Sequence, residues 1–228
     1  MEFINYVIQI YPELLNGLVT TLVFTFFGMI AGFILAVPLC VVSLYGKTIF
    51  RKIIFGYVQL IRGTPLLVQL YMIYYGFPKL LLPLGIQITP HIAALIGFTI
   101  NSAAYQIEYL KGGFKAISGE QAEAARSIGM TKGQTILHIL IPQALRFSIP
   151  ALSNELIYLL KYTSLGFVIQ APELMTKAKR LASVHARYME TYIIAALIYI
   201  MLTFIFSKLT NMVDKKLRIP GFEVEKIR

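Results

Sequence analysis

The sequence has no tryptophan, one cysteine and three histidines, and each scarcity removes a class of chemistry. A lone Cys40 inside an apolar run can form no intramolecular disulfide and leaves no thiolate cluster for a metal. His91, His138 and His185 are scattered, with no second His or Cys at ligand spacing, so no metal site is expected. HExxH, a nucleophile motif and a phosphate-binding Gly loop with its lysine are all missing. The chain is therefore not expected to be an enzyme or to hold a cofactor of its own. No basic residue precedes Lys47, while Glu2 and Glu13 do, so no cleavable leader is expected.

Charge is also scarce. Only 14% of the 228 residues are charged and 57% are hydrophobic, whereas soluble domains run nearer a quarter charged. Mean hydropathy is +0.69, which places the chain in the lipid bilayer. The net charge of +10 raises a nucleic-acid reading, but the basic residues sit between apolar runs and form no stripe or known module. Nucleic acid is excluded as a partner.

What remains is an all-α, polytopic membrane protein forming one transmembrane domain over 1–228. Five spans are expected, at about 14–44, 53–77, 89–109, 147–168 and 191–207. The first is longer than an apolar core and must tilt or protrude, and Pro38 is a candidate kink. With the N-terminus outside, fourteen Lys and Arg fall on the inner side and five on the outer. Lys79, Lys177, Lys179, Arg180 and Arg187 are the five, and the asymmetry predicts N-out and C-in. Stretch 172–187 is basic although outside. It is either an interfacial segment whose cations reach head groups or a face for an extracytoplasmic partner.

The longest polar interlude is Ser118–Pro142, SGEQAEAARSIGMTKGQTILHILIP. Ser118 with Gln121 has the form of a capping box opening a helix over Glu120–Ser127. Gly129 stands where a helix stops in the left-handed conformation. Thr131 with Gln134 repeats the box for a second helix, which Pro142 is expected to end. The punctuation predicts a helix–turn–helix, on the cytoplasmic side in this orientation. His138 in its second helix should face solvent or a partner.

Glu123-Ala124-Ala125, three residues, Gly129, nine residues, then Ile139-Leu140-Ile141-Pro142 resembles the EAA loop of bacterial ABC importer permeases. One position departs from the pattern, Ile141 for Leu. Ile61-Arg62-Gly63-Thr64-Pro65-Leu66-Leu67-Val68-Gln69 and Lys161-Tyr162-Thr163-Ser164-Leu165 are similar to the polar amino acid subfamily. Asn154-Glu155 resembles the histidine- and arginine-type members. The resemblance spans nearly the whole chain. It implies a permease of the bacterial cell (inner) membrane that pairs with a second permease, identical or homologous. It further implies separate ATPase subunits, which use the ATP and Mg, and an extracytoplasmic amino-acid-binding protein. Glu120, Glu123, Ala124, Ala125, Arg126, Gly129 and Pro142 would then be the ATPase-coupling residues. Glu123 and Arg126 would face the ATPase, and Ala124, Ala125 and Gly129 would permit close packing.

Charges within the spans are the candidate substrate site. Arg62 falls near mid-depth of the second span, where a charge costs at least about 2.5 kcal/mol and needs a function or a partner. Pro65 frees a backbone carbonyl and Gly63 permits close approach. Asn154, Tyr158, Lys161 and Leu165 share one helix face, with Glu155 and Tyr162 on the next. An amino acid needs a cation or donors at its carboxylate, offered by Arg62, Asn101 and Ser102, with Thr64 a further substrate-binding candidate. A basic side chain needs a desolvated acceptor, offered by Glu155, with Tyr158 and Lys161 lining the cavity. The alternatives are structural. Arg62 could pair with Glu155 or Glu108, Glu155 with Lys161 or Arg62, and Asn101 with another helix. Ser102, Ala103 and Ala104 permit close helix packing, and Glu108 with Lys111 forms an i, i+3 pair. Two rival functions remain, a permease for neutral or acidic amino acids such as glutamine, and an ATPase-independent secondary transporter or channel.

Overall fold

The computed structural model describes residues 2–78 and 87–217. Lys79, Arg218, Lys226 and Arg228, used in the charge asymmetry, lie outside the described residues. Among the described residues every regular element is helical. α1 (Glu2–Tyr45) runs unbroken through Pro12 and Pro38. At about 1.5 Å per residue, its 44 residues overreach an apolar core of about 30 Å. α2 (Thr48–Arg62) and α3 (Leu66–Gly76) follow, then α4 (Pro90–Ser127), α5 (Lys132–Ile169), α6 (Leu174–His185) and α7 (Tyr188–Leu217).

α1, α5 and α7 are long and apolar enough to cross a membrane, and the α2–α3 pair, bent by 104°, would make a fourth crossing. The expected second span is thus not one straight helix. It breaks at Gly63-Thr64-Pro65, because Pro65 can donate no hydrogen bond and forces its predecessor out of the helical region.

α4 is the spine. Ala93, Ala94, Phe98, Ala103, Ala104 and Ile107 on it are fully buried, packed between α1 and α5. Small residues set how closely α1 approaches. A β-carbon on Gly28 would sit 3.2 Å from Phe98, and one on Gly32 would sit 2.9 Å from Gln106 Nε2. Lipid tails offer no hydrophobic preference for helix over lipid, so association in a membrane depends on such close contact. The outward faces are apolar and uncovered, as at Ile30 and Ile34 on α1 and Leu197, Ile200 and Phe204 on α7. Buried polar groups such as Thr21, Gln106 and Glu155 are kept inside and the outer faces are apolar, which suits a hydrocarbon solvent.

The basic stretch 172–187 becomes the amphipathic α6. Leu174, Ala178, Leu181 and Ala182 are buried, the first three against Tyr6, Ile10 and Leu14 of α1. Glu173 caps its start, accepting from the backbone N–H groups of Met175 and Thr176, each at 2.7 Å. Two of its cations are already matched, since Lys177 Nζ and Arg180 Nη2 both lie 2.8 Å from Glu13 Oε2.

Two boundaries in the polar interlude need correction. The backbone is helical through 118 as part of α4, so no helix starts there. Leu110, Phe114 and Ile117 are all buried and carry the apolar stripe of α4 up to the expected cap, with Ala125 buried beyond it. Nor does Pro142 end a helix. It stands at the first turn after a π-helical segment, Thr135–Leu140, and the helix continues to Tyr162. The wider π turn tolerates the missing donor, and a first-turn proline removes an N–H that has no obligatory partner.

Candidate functional site

The break between α2 and α3 is held by one side chain. Pro65 leaves the Ile61 carbonyl without its helical partner, and Gln69 Nε2 donates to that oxygen at 2.7 Å. The same amide reaches the Thr64 carbonyl and Thr64 Oγ1, each at 3.0 Å. Gln69 Oε1 in turn accepts from Asn101 Nδ2 at 3.0 Å. Asn101 is buried on α4, so its partner is another helix, and the break is tied to the spine. Tyr57 OH adds a second tie, donating to the Ile100 carbonyl at 2.6 Å. Gln69 was not among the expected site residues, although it closes the Ile61–Gln69 stretch and stands at i+4 after Pro65.

Arg62 is the last residue of α2 and sits at the mouth of the break. Its guanidinium is 3.7 Å from Glu108 Oε2 and 5.3 Å from the Tyr105 ring centroid, a usual cation–π distance. Glu108 is shared, because Lys111 Nζ donates to its other oxygen at 2.7 Å. Of the two carboxylates expected for Arg62, Glu108 is the partner.

Glu155 is different. It is buried, and among the described residues it makes no ion pair with Arg62 or Lys161. Ser102 Oγ donates to Oε1 at 2.9 Å and Tyr109 OH to Oε2 at 3.4 Å. Gln106 Nε2 backs this pair, donating to Ser102 Oγ at 2.9 Å and to the Met29 carbonyl at 3.1 Å. Gln106 Oε1 is a second buried acceptor, without a hydrogen-bond partner among the described residues. A buried carboxylate held by hydroxyls alone keeps acceptor capacity that a cation would satisfy. Tyr109 and Gln106 are the members that the sequence reading missed; they follow Ser102 at helical spacing.

The remaining expected residues separate from this cluster. Tyr158 and Lys161 are exposed, with the ammonium 4.7 Å from the Tyr158 ring centroid and Tyr158 stacked on Tyr162. They form an aromatic–cation face beside Glu155, as the face assignment predicts, but do not reach its carboxylate.

The turn after α4 has the expected geometry. Gly129 adopts φ +81°; its N–H reaches the Arg126 carbonyl and the Met130 N–H reaches the Ala125 carbonyl, a Schellman closure. Thr131 and Gln134 complete a reciprocal capping box. Ala125 is buried, while Glu120, Glu123, Ala124, Arg126, Gly129, Pro142 and His138 are exposed. Two large apolar side chains are uncovered here as well, Ile128 at 78% and Leu137 at 61%.

The bundle thus combines apolar outer faces, a buried polar cluster on α4 and α5, and a capped elbow between them. Residues 28–219 match the family of binding-protein-dependent transport system inner membrane components, and the chain belongs to that family. The nopaline transport system permease protein of Agrobacterium fabrum (strain C58) is 35% identical over 217 residues, covering 92% of this chain and 90% of that protein. The arginine transport system permease protein of Bacillus subtilis (strain 168) is 37% identical over 210 residues, covering 91% and 93%. A crystal structure of an amino acid ABC transporter with histidines contains a chain 35% identical to this one, at a TM-score of 0.85. The match covers 95% of this chain and 99% of that one.

Proposed function

We propose that this permease belongs to an ATP-driven importer of amino acids and carries basic ones, arginine, lysine or histidine. The observation that carries the reading is Glu155, a buried acceptor inside the bundle whose described partners are hydroxyls and not cations. A cationic side chain would complete its coordination. Arg62 supplies the charge and the second amide N–H of Asn101 a donor for the α-carboxylate, while the hydroxyls of Thr64 and Ser102, which donate to the Leu60 carbonyl and to Glu155, hold the site in shape. Tyr158 and Lys161 line the approach. A relative named for arginine transport supports this substrate class, beside others named for cystine and glutamine transport.

In this reading five crossings, α1, the bent α2–α3 pair, α4, α5 and α7, place the N-terminus outside and the Gly129 elbow in the cytoplasm of a bacterial cell. There Glu120, Glu123, Ala124, Ala125, Arg126, Gly129 and Pro142 meet a separate ATPase, which uses ATP and Mg. A second permease, identical or homologous, completes the pathway, and an extracytoplasmic binding protein delivers substrate. ATP-driven closure moves the elbow, and α4 and α5 carry the motion to the cavity.

Binding of Arg, Lys, His, Gln and Glu to the detergent-solubilised complex tests the specificity. Glu155→Gln should weaken the three cationic ligands by about 10- to 100-fold, the range for losing a hydrogen bond to a charged group. Equal binding of Gln or Glu by the unaltered complex, or an unchanged cationic preference in the variant, would remove Glu155 as the selector.

A further inference from the structure

Gln106 stands one helical turn beyond Ser102 on α4 and is fully buried. Its amide nitrogen donates twice, to the Met29 carbonyl of α1 at 3.1 Å and to Ser102 Oγ at 2.9 Å. Its oxygen, Oε1, has no hydrogen-bond partner among the described residues. A buried amide left half-satisfied calls for a reason. Turning it over would set Oε1 against the Met29 carbonyl, which can only accept. The orientation is therefore fixed from α1, and it decides what Ser102 does. Ser102 Oγ accepts from Gln106 and keeps a single hydrogen, which goes across to Glu155 Oε1 at 2.9 Å. A helical hydroxyl without such a neighbour turns back to the carbonyl four residues earlier, as Thr25, Ser148 and Thr210 do in this chain.

We propose that Gln106 is a positioning residue for the choice of a cationic substrate, aiming the Ser102 hydroxyl at Glu155, a role that rests on Glu155 being the selector. The donors run one way, from the amide through the hydroxyl to the carboxylate, and hydrogen bonds aligned like this polarise one another. With Ser102 on Oε1 and Tyr109 on Oε2, the carboxylate is held at both oxygens, which is the support a binding group needs from the residues behind it. Gly32 of α1 makes the arrangement possible, since a β-carbon there would stand 2.9 Å from Gln106 Nε2. Gln106 itself does not meet the substrate. It transmits the position of α1 to the group that would.

Calorimetric titration of the detergent-solubilised complex with arginine and with citrulline, its uncharged isostere, tests this. Gln106→Met keeps the bulk of the side chain and removes both donors. It should lower the arginine-to-citrulline affinity ratio by about 2- to 10-fold, the range for one net hydrogen bond. In a Ser102→Ala background no hydroxyl is left to aim, so the same substitution should leave the ratio where Ser102→Ala has set it. A parallel loss of both ligands would make Gln106 a packing residue and overturn the proposal. So would a further fall in the ratio in the Ser102→Ala background, or an unchanged ratio in Gln106→Met where Glu155→Gln lowers it. A ratio that Glu155→Gln leaves unchanged would instead remove Glu155 as the selector, and the role of Gln106 with it. Should Gln106→Met fail to fold, Gly32→Ala decides by the same ratio, because its β-carbon would push the Gln106 amide aside; a lowered ratio is expected, and an unchanged one would overturn the proposal.

Discussion

At the scale of single residues, the site depends on amides and hydroxyls that fix where the charges go. Gln69 holds two features at once, the carbonyl that Pro65 frees and the Asn101 amide on α4. Losing it leaves both without a protein partner, and for the buried Asn101 amide that costs about 1–3 kcal/mol. Gln69→Leu should therefore lower the thermal midpoint of the purified protein and reduce transport. In a cycle with Asn101→Ala, the two substitutions should couple by about 0.5–3 kcal/mol; strict additivity would show that the bond between them carries no stability. The charged residues were legible in the sequence, because an Arg or Glu in an apolar run stands out. Their partners were not. Arg62 could have met Glu108 or Glu155, and only the bend after Gly63 places it 3.7 Å from the former. Glu155 was legible as a functional candidate, whereas Tyr109 and Gln106 look like ordinary members of a helix until α4 and α5 are packed.

At the scale of elements, local signals held where nothing competed and failed where packing did. The turn at Gly129 and the capping box at Thr131 are present as spaced in the sequence. Ser118–Gln121 has the same form, yet the backbone there continues as α4, since Phe114 and Ile117 keep the buried stripe in register. Pro142 reads as a stop and is instead absorbed by a π turn before it. Helix-to-helix distance is a further element-scale property, and neighbouring glycines on α4 isolate it. A β-carbon on Gly113 would meet the Ala144 carbonyl oxygen at 2.4 Å, while one on Gly112 would meet nothing within 4 Å. Gly113→Ala should destabilise by about 1–3 kcal/mol through overpacking against α5. Gly112→Ala should stabilise by up to about 1 kcal/mol through helix propensity. Thermal denaturation of the two variants side by side checks this; equal midpoints would mean that α4 and α5 are free to separate there.

At the scale of the whole molecule, an importer has to join motion outside the bilayer to a cavity within it. The chain offers one continuous route. α4 carries Asn101, Ser102 and Glu108 in its middle and runs on to Ser127 at its end, while α5 starts at the elbow and carries Glu155. A lever of this kind works only if its outer end is gripped. Ile128 and Leu137 are large, apolar and uncovered at the elbow, beside the charged side chains of Glu123 and Arg126. Buried apolar anchors ringed by polar groups are where binding energy concentrates in protein interfaces. Ile128→Asp and Leu137→Asp should therefore weaken association with the ATPase by more than about 1 kcal/mol each, measured by co-purification and by substrate-stimulated ATP hydrolysis. Both positions lie on the exposed surface of the elbow, so direct binding of amino acids to the permease should persist. Loss of substrate binding with the ATPase still attached would place these side chains in the fold of the cavity. Loss of association with binding intact would make the elbow the handle by which the ATPase moves α4 and α5 together.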